Sequence, residues 1–192
     1  GMYNNALSGV STAGDHFFYV NRLASAGDGR DLRWQRASLE CCPPNLVRFL
    51  ASMPGYVYAQ GPAGTLYVNL YVSSEATFKV GGQLMTLAVE SDMPWGGHSR
   101  IAVRAERGTK GVIKLRIPGW AGNRPAPGGL YSYTSKLTKP PVISVNKRQL
   151  IATPDLNGYV SIDRVWANGD VLDVVFPMDP RRGVARSLVK EY

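Results

Sequence analysis

The clearest periodic signal is Ile113-Lys114-Leu115-Arg116-Ile117, where apolar and basic side chains alternate strictly. A period of two with one apolar face is the pattern of a strand that is buried on one side and wet on the other. Similar β-forming runs recur at Thr65 to Val72, Ala76 to Val80, Leu84 to Val89, Ile101 to Ala105, Val142 to Val145, Tyr159 to Ile162 and Val171 to Phe176. Each is bounded by Gly, Pro or charged turn residues. About eight short strands at this spacing predict a jelly-roll-like β-sandwich over residues 58–180 rather than a βαβ fold. Residues 2–57 read differently. His16 to Val20 predicts a short strand after a Gly14-Asp15 turn, and Ala24 to Arg33 predicts a polar loop. Pro43 and Pro44 then suit a first helical turn, and Leu46, Val47, Phe49, Leu50 and Met53 recur at helical spacing until Pro54-Gly55. Residues 181–192 are expected to be a basic tail or linker.

Composition supports this reading. Of 192 residues, 44% are hydrophobic and 19% charged, and 21 Gly and 13 Pro stand among many β-formers, as in a turn-rich globular β protein. The formal charge of +8 raises the question of nucleic acid. The basic residues are scattered along the sequence without interleaved aromatics, so no nucleic-acid partner is expected. Tyr3 to Leu7 has neither a basic n-region nor an apolar h-region, and no apolar run approaches the roughly 18 residues of a membrane span. Neither a signal peptide nor a membrane contact is expected of this chain.

The sharpest chemical feature is Leu39-Glu40-Cys41-Cys42-Pro43-Pro44-Asn45, which holds the only two cysteines. Adjacent cysteines make a poor structural staple. Just before a helix N-terminus, unpaired N–H groups and the helix dipole favour thiolate over thiol, giving a metal ligand, a nucleophile or both. The competing reading is a pair of inert, buried thiols.

The surrounding residues decide how the pair is read. Tyr3 to Ser11, Phe17-Phe18-Tyr19-Val20-Asn21 and Glu40-Cys41-Cys42-Pro43-Pro44-Asn45-Leu46 resemble glycoside hydrolase family 127, the β-L-arabinofuranosidases and their relatives. The resemblance runs on through Gly55 to Tyr58, Leu66 to Tyr71, Pro94-Trp95, Arg116 to Trp120 and Trp166-Ala167-Asn168-Gly169-Asp170. It implies an (α/α)6 barrel followed by β-sandwich domains, with residues 2–57 a strand-plus-helix remnant of the barrel's end. It also implies that Cys41 is both the nucleophile and a zinc ligand, that Cys42 is a second ligand, and that Tyr19 contacts the sugar. Read from its residues alone, Tyr19 is a core strand aromatic. The family's acid/base glutamate and its remaining zinc ligands match nothing in this chain. Glu40 is expected to be structural.

Other candidates are weaker. His16 and His98 each sit beside turn residues and cannot complete a ligand set by spacing. Trp95 and Trp120, flanked by Pro and Gly, are expected to seal the sandwich end rather than stack on sugars. Asp163, Asp170, Asp173 and Asp179 form no paired-carboxylate pattern.

The leading expectation is therefore the C-terminal piece of a retaining, zinc-thiolate glycosidase acting on an arabinofuranose-containing glycan through a barrel this chain lacks. Such a piece would be inactive alone and would retain little zinc by itself. It would also self-associate through the barrel-facing apolar side of its helix. A non-catalytic carbohydrate-binding or structural sandwich is the alternative.

Overall fold

The computed structural model describes residues 9–18, 27, 32–33, 43–106 and 108–187. The chain divides into two compact units, Gly1–Pro54 and Gly55–Tyr192.

In the first unit, residues 9–18 form a hairpin. Val10 and Phe17 make an antiparallel bridge, and the Ser11 and Phe18 N–H groups donate to the carbonyls of His16 and Gly9, each at 2.8 Å. Gly14 turns the chain at φ 76°. The expected strand is thus a bridge as far as Phe18, and Tyr19 and Val20 lie outside the described residues. Helix α1 spans Pro43–Ser52, and α2, Pro54–Val57, starts at the last residue of this unit and continues into the second. Pro54 ends the first helix and opens the second, as proline tolerates a first helical turn but not an interior one. Val47 and Phe49 of α1 are exposed, so the helix carries apolar side chains that its own unit leaves in solvent. No helix among the described residues is long and apolar enough to cross a membrane.

The second unit is a β-sandwich. One sheet runs in the order β1 (Tyr58–Gln60), β2 (Leu66–Val68), β6 (Thr109–Arg116), β10 (Tyr159–Trp166). The other runs β3 (Ser74–Val80), β4 (Gln83–Ser91), β5 (His98–Ala105), β11 (Asp170–Val175), β8 (Val142–Val145), β9 (Arg148–Leu150). All pairs are antiparallel except β2 with β6. A small third sheet pairs β7 (Tyr131–Tyr133) with β12 (Gly183–Ala185). The alternation read in the sequence becomes the core: Leu66, Val68, Ile113, Leu115, Val160 and Ile162 from one sheet meet Leu87, Val89, Ile101, Val103, Leu172 and Val174 from the other. The outer face of the larger sheet is wet, with Arg104 paired to Glu75, and His98 Nε2 lying 3.0 Å from Asp173.

Three differences from expectation have physical causes. The run Thr65 to Val72 is a strand only to Val68. Beyond it the Asn69 and Leu70 N–H groups turn back to the Val57 carbonyl, and Tyr71 buries its ring against Phe176 while its hydroxyl donates to the Arg116 carbonyl at 2.8 Å. Strand β9 exists because Asn146 and Lys147 adopt positive φ (51° and 67°), the two-residue hairpin geometry that asparagine tolerates. The expected tail is tied down as far as Arg186. Besides the β7–β12 pairing, Arg181 stacks on Tyr133 at 3.7 Å, donates to Asn123 Oδ1 at 2.8 Å and donates to the Trp120 carbonyl.

The run Trp166-Ala167-Asn168-Gly169-Asp170 is a structural turn. Trp166 is fully buried, and its indole N–H donates to the Gly111 carbonyl at 2.9 Å. Asp170 is also buried. It accepts from Asn146 Nδ2 at 2.7 Å and from the Ala167 N–H at 2.9 Å, with Arg164 at 3.5 Å. Burial alone would raise its carboxyl. The bonds from Asn146 and Ala167 and the Arg164 guanidinium outweigh burial and hold it below the ordinary 3.8. A depressed folded value means its stabilising contribution is full above the ordinary value and fades as pH falls through the lower folded one. Asp170→Asn should lower stability at pH 7 by about 1–3 kcal/mol, since one amide oxygen cannot replace two carboxylate oxygens. In urea melts the gap between variant and parent should narrow below about pH 4, where the parent loses the charged form. A gap independent of pH would contradict the charged role.

The Arg181 clasp is separable from the core. Arg181→Ala should lower the melting free energy by about 1–2 kcal/mol. In hydrogen exchange it should speed the amides of β7 and β12 while those of β6 and β11 stay protected; uniform acceleration would argue against a separate clasp.

Candidate functional site

The cysteine pair and Tyr19 are the candidate site, and Tyr19, Cys41 and Cys42 all lie outside the described residues, as does Glu40. The elements flanking them are described. Phe18, directly before Tyr19, closes the hairpin ladder on Gly9 and carries the Arg33 guanidinium over its ring at 4.4 Å. Cys42 is followed at once by α1. Pro43 and Pro44 have no N–H, so the backbone donors of that first turn begin at Asn45. The first turn holds no acidic residue to oppose a thiolate. Asn45 itself accepts through Oδ1 from Arg48 at 3.1 Å.

A cluster that sequence reasoning passed over sits in the hairpin turn. Asp15 Oδ1 accepts from Ser11 Oγ at 2.9 Å and lies 2.8 Å from His16 Nδ1, while Ser11 Oγ accepts the backbone N–H groups of Asp15 and His16. The hydrogen bonds from His16 and then Ser11 hold the Asp15 carboxyl below its ordinary value. The carboxylate is the hub of the cluster and His16 does not reach Ser11, so this is a turn clamp rather than a nucleophile–base pair. The sequence signal was the Ser11 to Asp15 spacing around Gly14.

The remaining candidates fall apart in space or become structural. Asp173 pairs with His98, Asp170 caps the turn before β11, Asp179 Oδ2 accepts from Thr138 at 3.2 Å, and Asp163 is exposed. Among the described residues no three His, Cys, Asp or Glu side chains converge as a metal site. Cys41 and Cys42, whose soft sulfur chemistry suits zinc, lie outside those residues. Trp120 packs edge-on against Phe176 at 5.6 Å and does seal the core. Trp95 does not. It is 92% exposed on the β4–β5 turn, because Gly96 and Gly97 pack against Asp92 and Phe176 and leave its indole no partner.

Comparison with known proteins places these two units. Residues 65–178 match the profile described as Beta-L-arabinofuranosidase, GH127 middle domain, and residues 1–55 match the one described as Beta-L-arabinofuranosidase, GH127 catalytic domain. A non-reducing end β-L-arabinofuranosidase of Bifidobacterium longum subsp. longum is 27% identical over 191 residues, covering 93% of this chain and 26% of the relative. A solved GH127 β-arabinofuranosidase superposes with a TM-score of 0.87 at 40% identity, covering 96% of this chain and 28% of its own. A GH127 β-L-arabinofuranosidase from Geobacillus stearothermophilus T6 gives 0.73 at 30% identity, covering 89% of this chain and 26% of its own. The chain therefore spans about a quarter of the length of these relatives. With the family's middle-domain profile matching more than half of its residues, this chain belongs to glycoside hydrolase family 127, the β-L-arabinofuranosidase family.

Proposed function

We propose that this chain is part of a retaining glycosidase acting on β-L-arabinofuranosyl groups of a glycan, with Cys41 as its nucleophile. The observation that carries the reading is the match of residues 1–55 to the family's catalytic domain, a span that contains Glu40-Cys41-Cys42-Pro43-Pro44. Cys41 and Cys42 would hold zinc, with further ligands from outside this chain. Zinc, when bound, keeps the sulfurs deprotonated at neutral pH. The Cys41 thiolate attacks the anomeric carbon as the glycosidic C–O bond breaks, and the leaving oxygen takes a proton from a protonated acid/base carboxyl group, leaving it a carboxylate. Water, giving its proton to that carboxylate, then attacks the anomeric carbon of the glycosyl thioether and expels the Cys41 thiolate, so two inversions give net retention. Tyr19 would lie along the sugar.

No residue of this chain is assigned the acid/base role, so the 192-residue chain alone should turn over an aryl β-L-arabinofuranoside no faster than buffer. A missing acid/base group alone costs about 10²–10⁴-fold. Joined to a family 127 catalytic barrel, the chain should hydrolyse that substrate with retention, read by NMR of the first-formed anomer. Cys41→Ala should then remove turnover while leaving the melting temperature within a few degrees. Activity that survives Cys41→Ala would sink the assignment.

The exposed Val47 and Phe49 of α1 support a second element of the proposal, self-association of the isolated chain through that helix. Sedimentation should show a concentration-dependent dimer or larger species that Val47→Lys with Phe49→Lys shifts towards monomer. A monomer at all concentrations would remove the idea.

A further inference from the structure

The positive charge of this chain is concentrated by the fold, although it is dispersed in the sequence. Residues 117–141 and 176–187 hold Arg124, Lys136, Lys139, Arg181, Arg182 and Arg186 but a single carboxylate, Asp179. The two segments are distant in sequence and meet in space through several connections. Strand β7 pairs with β12, the Thr134 N–H donates to the Arg182 carbonyl at 3.0 Å, Thr138 donates to Asp179, and Arg181 clasps Tyr133, Asn123 and the Trp120 carbonyl. With Arg181 used internally, Arg124, Lys136, Lys139, Arg182 and Arg186 are all exposed. None of these five forms an ion pair with a carboxylate among the described residues.

The strand registers set where this lobe stands. The tight turns Gly81-Gly82, Asn146-Lys147 and Asn168-Gly169 close one end of the sandwich. The β4–β5 turn and the segments after β6 and β11 leave from the other end, where Tyr71 and Trp120 both pack on Phe176. The Trp95 turn belongs to this lobed end. A side chain added at Gly97 would meet the Phe176 carbonyl at 2.2 Å and Met178 Cγ at 2.8 Å, so the turn abuts the segment that leads into Arg181. The turn is braced from within. The Trp95 and Gly96 N–H groups both donate to the Asp92 carbonyl at 3.0 Å, the His98 N–H to Asp92 Oδ1 at 2.8 Å, and the Met93 N–H to Ser91 Oγ at 3.2 Å. An almost fully exposed indole is thus held on a fixed support at the same end of the sandwich as these cations, none of which is ion-paired among the described residues.

We propose that this lobed end of the sandwich is a binding surface for an anionic glycan, with uronate carboxylates on the cations and one sugar ring stacked on Trp95. Charge complementarity selects the anionic class. The apolar face of a pyranose ring matches a lone indole, and the cations spread over the lobe suit carboxylates repeated along a chain. The choice of glycan over another polyanion rests on the chain's place among glycan hydrolases. The surface makes no use of Cys41, Cys42 or Tyr19.

The test is affinity electrophoresis and calorimetry of the 192-residue chain with polygalacturonate, neutral arabinan and a single-stranded oligonucleotide as probes. Polygalacturonate should bind and arabinan should not. Affinity should fall steeply from about 0.01 M to about 1 M salt, as the screening length shrinks from ~30 to ~3 Å. Lys136→Gln with Lys139→Gln, outside any strand, and Arg182→Gln with Arg186→Gln should each weaken binding roughly tenfold. Trp95→Ala should weaken it several-fold at high salt as well as low, and should abolish the tryptophan fluorescence change on binding. Absence of polygalacturonate binding, affinity unchanged in both lysine and arginine variants, or tighter binding of the oligonucleotide would each overturn the proposal. No hydrolysis is read, so failure here leaves the Cys41 assignment standing, and failure of that assignment leaves this surface untouched.

Discussion

The second unit depends on one constraint: two sheets must share a single apolar layer, and at Gly111 that layer leaves little room for a side chain. A side chain there would come within 3.0 Å of Val80 Cγ1, across the layer. Its bare backbone also offers the carbonyl that takes the Trp166 indole N–H. The largest buried side chain thus satisfies its polar atom against the one core strand position that has no side chain. Position 111 and position 166 are therefore a matched pair, and the register of β6 against β10, in which Arg164 lies opposite Gly111, follows from it.

Much of this architecture was legible in the sequence wherever burial imposes a period. The alternation in Ile113 to Ile117 gave the correct inward face, because a one-residue slip would have placed Lys114 and Arg116 in the core. The misreadings share a cause: local composition was right but long-range partners decided the outcome. Thr65 to Val72 is uniformly β-forming, yet the strand ends at Val68 because Asn69 and Tyr71 find better partners at Val57 and Arg116. Residues 181–186 have too little apolar surface to hold themselves, and a cation over an aromatic ring some fifty residues earlier in the chain does it instead. Trp95 was expected to seal the sandwich end like Trp120, but Gly96 and Gly97 pack closely on Asp92 and Phe176 and its indole is 92% exposed.

The candidate site was legible in another way. Nothing in the spacing of Cys41 and Cys42 distinguishes a working thiolate from an inert pair; the resemblance of the residues around them implies a working one, and the proposal rests on the match of residues 1–55 to the family's catalytic domain. Conversely, Trp166 to Asp170 stood out as a motif of the same family and is fully spent on a turn, with each polar atom of the Asp170 carboxylate engaged by the fold. A recognisable motif can mark the architecture as readily as the chemistry.

The pairing of β7 with β12 has a consequence for how the molecule is assembled in time. The β3–β4 and β8–β9 hairpins close over two residues and can form as soon as their strands exist, whereas Tyr131 must wait for Ala185. During synthesis the basic segment 117–141 therefore emerges well before the strand that folds it back. The lobe is the last part of the sandwich to be completed and, by the same ordering, the first that can open while the core stays shut.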